Sequence, residues 1–186
     1  VLDTDFLQSI TLLATRARRA QAKAAGEPPE KWPGISCKRK DVLKLKLADY
    51  RRWADEVEAA FKHAAKLLHS QKVFTSRDLP YRTQLVPLAA ILCVLGGKAE
   101  NEGVRQKLMR WLWCGVLGEL YGSATESRFA KDLAEVVAWV EGDPEPSTVS
   151  EALFRRGRLY TLRTRNSAAY KGLYALLMRD GCEDFR

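Results

Sequence analysis

The sequence has 186 residues, room for one domain or two small ones at about 150 residues each, and its 46% hydrophobic and 29% charged residues exclude a disordered chain. The longest uninterrupted apolar run, Leu85 to Leu95, is 11 residues, short of the ~20 that a membrane-spanning helix needs, so no membrane contact is expected. The formal net charge of +8 is uneven, and that unevenness points toward an acidic partner.

In chain order, Leu2, Phe6, Leu7, Ile10, Leu13, Ala14 and Ala17 recur at three- and four-residue intervals and predict a first helix ending near Gly26. Gly26, Pro28, Pro29, Pro33 and Gly34 make residues 26 to 36 a loop. The alternation Val42, Leu43, Lys44, Leu45, Lys46, Leu47 is strand-like, and without a second such run to pair with it reads as extended chain. From Ala48, the set Tyr50, Trp53, Ala54, Val57, Ala60, Phe61, Ala64, Leu67 and Leu68 predicts a long amphipathic helix. Arg77-Asp78-Leu79-Pro80 ends that run. A helix resumes near Gln84 with Pro87 in its first turn and, apolar all round up to Gly96-Gly97, reads as a buried central helix.

Asn101 is placed to cap a fourth helix carrying Val104, Leu108, Trp111, Leu112 and Leu120. Two Ser/Thr-x-x-Glu boxes follow, Ser123 with Glu126 and Thr148 with Glu151. They predict one helix through Phe129, Leu133, Val136, Val137 and Val140 and another through Leu153 and Phe154. A last helix from about Asn166 to Asp180 stops at Gly181, a favourable left-handed terminator. The expectation is an all-α fold, a compact array of about seven helices. Residues 1–186 form a single helical domain in this reading, with a sub-boundary near 142–147 at Gly142, Pro144 and Pro146. Trp53, Trp111, Trp113 and Trp139 fall on apolar helical faces and read as core.

Two segments hold the positive charge. Between Arg16 and Arg52 twelve basic residues face four acids, and this stretch includes Lys38, Arg39 and Lys40. Arg155, Arg156, Arg158, Arg163, Arg165 and Lys171 occupy seventeen positions without an acid. Clustered cations sum their fields within a Debye length and attract phosphate or an acidic protein. Both groups are therefore candidate nucleic-acid-binding residues, their duplex-DNA contacts being to the sequence-independent backbone. The alternative is internal pairing of the arginines with Glu145, Glu151 or acids of the 119 to 135 region.

A smaller constellation, Tyr121-Gly122-Ser123-Ala124-Thr125-Glu126-Ser127-Arg128, sets hydroxyls and an arginine at a helix start. Ser123, Thr125 and Arg128 could bind an anion there through free N–H groups and the helix dipole. The competing reading is helix capping with Arg128 paired to Asp132. The Gly pattern lacks the Gly-Lys-Ser/Thr ending of a P-loop.

Cys37, Cys93, Cys114 and Cys182 are separated by 56, 21 and 68 positions, which is not zinc-ligand spacing. No metal or other cofactor is expected. Cys93 and Cys114 read as small core residues, suiting a reducing cytoplasm. Cys37, beside Lys38, Arg39 and Lys40, reads as a surface thiol whose thiolate is favoured by its neighbours. His63 and His69 do not share a helical face. No catalytic residues can be named, so the chain by itself is not expected to be an enzyme.

The run Asp78-Leu79-Pro80-Tyr81-Arg82-Thr83-Gln84-Leu85-Val86-Pro87-Leu88-Ala89-Ala90-Ile91 is followed by Arg110-Trp111-Leu112-Trp113, by Leu120-Tyr121-Gly122-Ser123 with Arg128 and Asp132, and by Arg165-Asn166-Ser167-Ala168-Ala169-Tyr170-Lys171 with Leu176-Leu177. In this order the segments resemble the helical region of GmrSD-type proteins, modification-dependent restriction proteins and their relatives. In that family a ParB/sulfiredoxin-like module carries an Asp-Gly-Gln-Gln-Arg motif used with nucleotide, and a later module carries an HNH-type nuclease motif. This chain contains no Asp-Gly-Gln run and stops at Asp184-Phe185-Arg186, about where the family moves on toward the nuclease histidines. The resemblance implies a helical middle segment of a larger DNA-defence protein, and neither set of catalytic residues carries over. Val1 in place of Met fits either processing or excision from a longer chain. The expected role is a non-catalytic scaffold or DNA-contacting segment. The alternative is an interaction domain that binds an acidic partner or sister modules of a parent protein.

Overall fold

The computed structural model describes residues 1–123 and 125–182. Among these residues the regular structure is helical throughout, with no strand. The α-helices are α1 (Asp3–Ala24), α2 (Arg39–Val42), α3 (Leu47–Ser70), α4 (Leu85–Leu95), α5 (Glu102–Leu117), α6 (Thr125–Glu141), α7 (Ser147–Ser150), α8 (Arg158–Thr161) and α9 (Ala168–Arg179). Three of them, α2, α7 and α8, are single turns of four residues, too short to show in an apolar periodicity.

The signals that end these helices are physical. Asn101 accepts from the N–H groups of Gly103 (2.9 Å) and Val104 (3.4 Å) at the start of α5, satisfying donors that the first turn leaves unpaired. Gly181, at φ +84°, closes α9, and the N–H of Cys182 returns to the carbonyl of Leu177. Residues 42–47 do not form an extended run: Val42 to Lys44 are helix and turn, and Lys46 is extended as the N-cap of α3. Val42 closes α2, and Leu45 N–H bonds the Val42 carbonyl in a turn, because an alternating run with no partner strand cannot satisfy its backbone alone.

Helix α4 packs against α1, α3 and α6, with Val86 through Leu92 and Leu95 buried. Together with its flanking 3-10 turns, α4 lies in the 19-residue stretch Arg82–Glu100, which contains an 18-residue window with a mean hydropathy of 1.2, long and apolar enough by composition to cross a membrane. Here 56% of that window is buried, with α4 lying against three helices. Ile10, Leu12 and Leu13 of α1 and Leu88 and Ile91 of α4 are almost completely enclosed, each burial contributing about 1.5–3 kcal/mol. Polar ties fix the orientation of α1. Asp5, 3% exposed, accepts from Leu2 N–H (2.9 Å) and from Arg82 Nη1 (2.6 Å), while Arg18 of α1 reaches Asp49 of α3 at 2.5 Å.

Helix α5 carries the other group of elements, packing with α6, α7 and α9. At the α5–α9 contact, a Cβ on Gly172 would lie 2.6 Å from Val116 Cγ1, so the absence of a side chain sets how closely the helices approach. Trp111, Trp113 and Trp139 are buried and Trp53 is half-buried. No helix runs through Leu153 and Phe154. Both are exposed in an irregular segment after α7, because Thr148 does not cap a helix. Its hydroxyl is turned into the core instead.

Candidate nucleic-acid interface

The segment just after α3 builds one wall of an open groove, through Lys72, Phe74, Arg77 and Asp78. Lys72 follows the helix in the left-handed conformation, φ +63°, with its N–H on the His69 carbonyl (3.0 Å) and the Val73 N–H on that of Leu68 (3.0 Å). Glycine is the usual occupant of such a position, and a residue with a Cβ costs about 1–2 kcal/mol there. The preceding residue is tied down from two sides. Gln71 Oε1 accepts from Trp113 Nε1 of α5 (3.0 Å) and from Arg179 Nη1 of α9 (3.1 Å). The turn after it is closed by Asp78, whose carboxylate accepts from Thr75 N–H (2.8 Å) and Oγ1 (2.9 Å). Those bonds hold its pKa below the ordinary aspartate value.

The opposite wall is Arg165 and Asn166 with one face of α9 from Tyr170 to Met178, a helix capped by Ser167, whose Oγ accepts from Tyr170 N–H (3.3 Å). Between the walls lies a groove of about 320 Å³. Its lining includes Lys72 and Arg77 from one segment and Arg165 and Lys171 from another nearly a hundred positions away, with Asp78 the one carboxylate. Four cations against one engaged acid make it a positive concavity, the electrostatic form that concentrates phosphate. Lys72 and Arg77 escaped the charge count along the chain because each is an isolated basic residue there. Only the docking of α9 on α5 brings them to Arg165 and Lys171.

The remaining sequence-predicted residues are distributed differently. Arg155 and Arg158 line a second, larger groove of about 660 Å³ with Leu117, Glu119, Leu153 and Phe154. Arg158 is already engaged, its Nη2 2.8 Å from Glu119 Oε1, so internal pairing holds for this arginine with an acid of the anticipated region. Arg155, Arg156, Arg163 and Arg165 are exposed and make no ion pair among the described residues. Lys38, Arg39 and Lys40 are exposed at α2, and none of them lines the groove at α9. The run from Arg155 to Lys171 is therefore split between two concavities and the surface around them.

The candidate anion site at α6 is not assembled as expected. Ala124 lies outside the described residues. Thr125 opens α6 and Ser123 is exposed before it. Arg128 Nη1 donates to Thr148 Oγ1 (3.0 Å), and Nη2 lies 3.5 Å from Glu151, so its partners come from α7 and the residue after it, and not from Asp132 as a helical spacing of four suggests. Asp132 is fully buried and accepts from the Tyr121 hydroxyl and from Thr148 Oγ1 (2.5 Å). Burial raises its pKa above the ordinary aspartate value, while the bonds from Thr148 and Tyr121 work in the other direction. Tyr121 is raised well above the usual tyrosine value, by burial first and by Asp132 second. This network ties α6 to α7, and its arginine is occupied.

Cys37 corrects the expectation of a surface thiolate. It is fully buried, and burial, with Glu126 and Asp41 adding to it, pushes its pKa up to about 12. Cys93 is likewise raised to about 12 by burial. The adjacent lysines point to solvent and cannot offset the lost hydration of a thiolate. Among the described residues no three His, Cys, Asp or Glu side chains gather in a metal-holding group.

No protein-family model matches the chain, and no solved structure matches it. The chain is similar to an uncharacterized protein, MJ0686, of Methanocaldococcus jannaschii, with 23% identity over 159 residues, 82% of this chain and 27% of that protein. It thus spans about a quarter of the length of that relative.

Proposed function

We propose that this chain is a non-catalytic helical module of a larger cytoplasmic restriction- or defence-type protein, and that it contacts the phosphate backbone of duplex DNA. In this reading the six longer helices and their connections form one array around α4, and the surface away from α4 carries the contacts. The observation that supports it best is the convergence of Lys72, Arg77, Arg165 and Lys171 on one groove. Arg155 lines the second groove, Arg156 and Arg163 are exposed on the same run of chain, and Lys38, Arg39 and Lys40 form a separate strip. The larger context rests on the resemblance of the motif order to that of GmrSD-type proteins.

Backbone contact requires positive charge at a spacing that tracks phosphates, and no hydrogen-bond code for bases. The experiment is a fluorescence-anisotropy titration with duplexes of unrelated sequence. Binding should be similar for all of them, and Lys72→Ala with Arg165→Ala should weaken it by about tenfold or more at low salt. Unchanged affinity in a folded double variant would refute the assignment to this groove.

A second reading has its own observation. Leu153, which lines the second groove with Arg155, is 76% exposed and Tyr160 is 86% exposed, apolar and cationic surface that favours an interaction domain for an acidic partner or a sister module. A chain that binds no nucleic acid but is retained by a sister module would support this alternative.

A further inference from the structure

We infer that the groove between the segment just after α3 and the face of α9 receives unpaired nucleotides, making single-stranded nucleic acid its preferred ligand over duplex. This rests on the backbone-contact reading above and adds a claim about what lies between the phosphates.

The cations do not line the groove alone. Phe74 is 50% exposed and Tyr174 54% exposed, and both rings belong to its lining with Tyr170. Large rings left half in water among charged side chains contribute little to a core, since the apolar area they bury is small. Their free faces are what a base needs for stacking. Phe74 is held in place by an edge contact with His69, ring centroids 4.8 Å apart at 75°, so one side of the ring is supported. In duplex DNA each base is already stacked above and below and presents only its edges in the grooves. A rigid helix laid along the surface would leave these rings without a partner. An unpaired strand has exposed base faces, and a positive channel with aromatic platforms is how proteins hold such strands without reading sequence. The geometry supplies both parts within one concavity. Lys72, Arg77, Arg165 and Lys171 surround it for phosphates, Phe74 and Tyr174 offer base platforms, and Asn166 offers amide donors and an acceptor at the same rim. A volume of about 320 Å³ is at the lower end for a ligand site, which limits it to a short stretch of strand.

The test compares a labelled oligo(dT) of about 15 nucleotides with a duplex of similar length, using the whole chain at one salt concentration. The wild type should bind oligo(dT) more tightly than duplex. Phe74→Ala with Tyr174→Ala should weaken oligo(dT) binding about tenfold or more and change duplex binding less than twofold. Tyr174→Phe, which keeps the ring, should retain oligo(dT) affinity, and thermal melting of each variant separates lost stacking from lost folding. Equal loss for both ligands in folded variants, or no loss for either, would overturn the inference. Tight duplex binding with no oligo(dT) binding would overturn it while leaving the backbone-contact reading standing. Failure of both ligands to bind would remove both.

Discussion

Lys72 is the most informative single residue to change, because stability and binding should move in opposite directions. Its backbone sits at φ +63°, where a side chain costs about 1–2 kcal/mol, and the residue lines the positive groove. Lys72→Gly removes the steric cost. The glycine in turn costs about 0.5–1 kcal/mol through the greater freedom of the unfolded chain. The net expectation is a gain of about 0.5–1 kcal/mol, or a melting temperature higher by roughly 1–4 °C for a chain of this size. The same change removes one cation from the groove. If that cation neutralises one phosphate, the slope of log affinity against log salt should shrink by about 0.9 for duplex, and affinity should fall about five- to tenfold at 0.1 M salt. Thermal unfolding followed by circular dichroism and anisotropy titration on the same preparations measure both. A variant that is less stable, or that binds as well as the wild type, would refute the reasoning that a strained backbone is retained here for the position of its ammonium group.

Other perturbations test the frame around the groove. Gly172→Ala should destabilise the chain by up to about 2 kcal/mol despite the better helix propensity of Ala, since its Cβ meets the buried, stiff Val116 at 2.6 Å. Adding Val116→Ala should restore the helix approach, so a double variant no better than additive in urea unfolding would contradict the contact. Asp132 has a folded pKa above its unfolded one, so the folded state holds the extra proton. Its contribution is fully present below the ordinary aspartate value and is lost as pH rises through the raised one. Asp132→Asn should therefore flatten that part of the stability profile from about pH 4 upward, and urea midpoints across pH would show it. A thiol reagent at about pH 8 should modify exposed Cys182 rapidly while Cys37, with its pKa pushed to about 12, stays protected until unfolding. Rapid labelling of Cys37 in the folded chain would show that the segment before α2 is not packed as described.

The long helices are legible in the sequence because their apolar residues recur with the helical period and their ends carry local signals. Asn101 caps α5 with its own side chain, and Gly181 takes up the left-handed turn after α9, both readable from neighbouring residues. The single-turn helices are not readable this way, having too few residues to show a period. Where a local signal competed with the tertiary fold, it misled. The hydroxyl of Thr148 looks like a cap at the position of a Ser/Thr-x-x-Glu box, yet burial beside Asp132 offers it a stronger partner. Arg128 is four residues from Asp132 on one helix, but its guanidinium goes to Thr148 and Glu151. Cys37 looks exposed among lysines, but a buried residue beside exposed neighbours is ordinary where a chain enters a short helix. The charge count found Arg165 and Lys171 and missed Lys72 and Arg77, since proximity across the α3–α9 groove depends on how α9 seats on α5 and leaves no trace in local composition.

The central claim is that the groove cations meet phosphates, and the salt dependence of duplex binding tests it most directly. With Lys72, Arg77, Arg165 and Lys171 each neutralising one phosphate, log affinity should fall against log salt with a slope of about −3.6, and each single Ala variant should reduce its magnitude by about 0.9. A slope near zero, or one that the four substitutions leave unchanged, would contradict it.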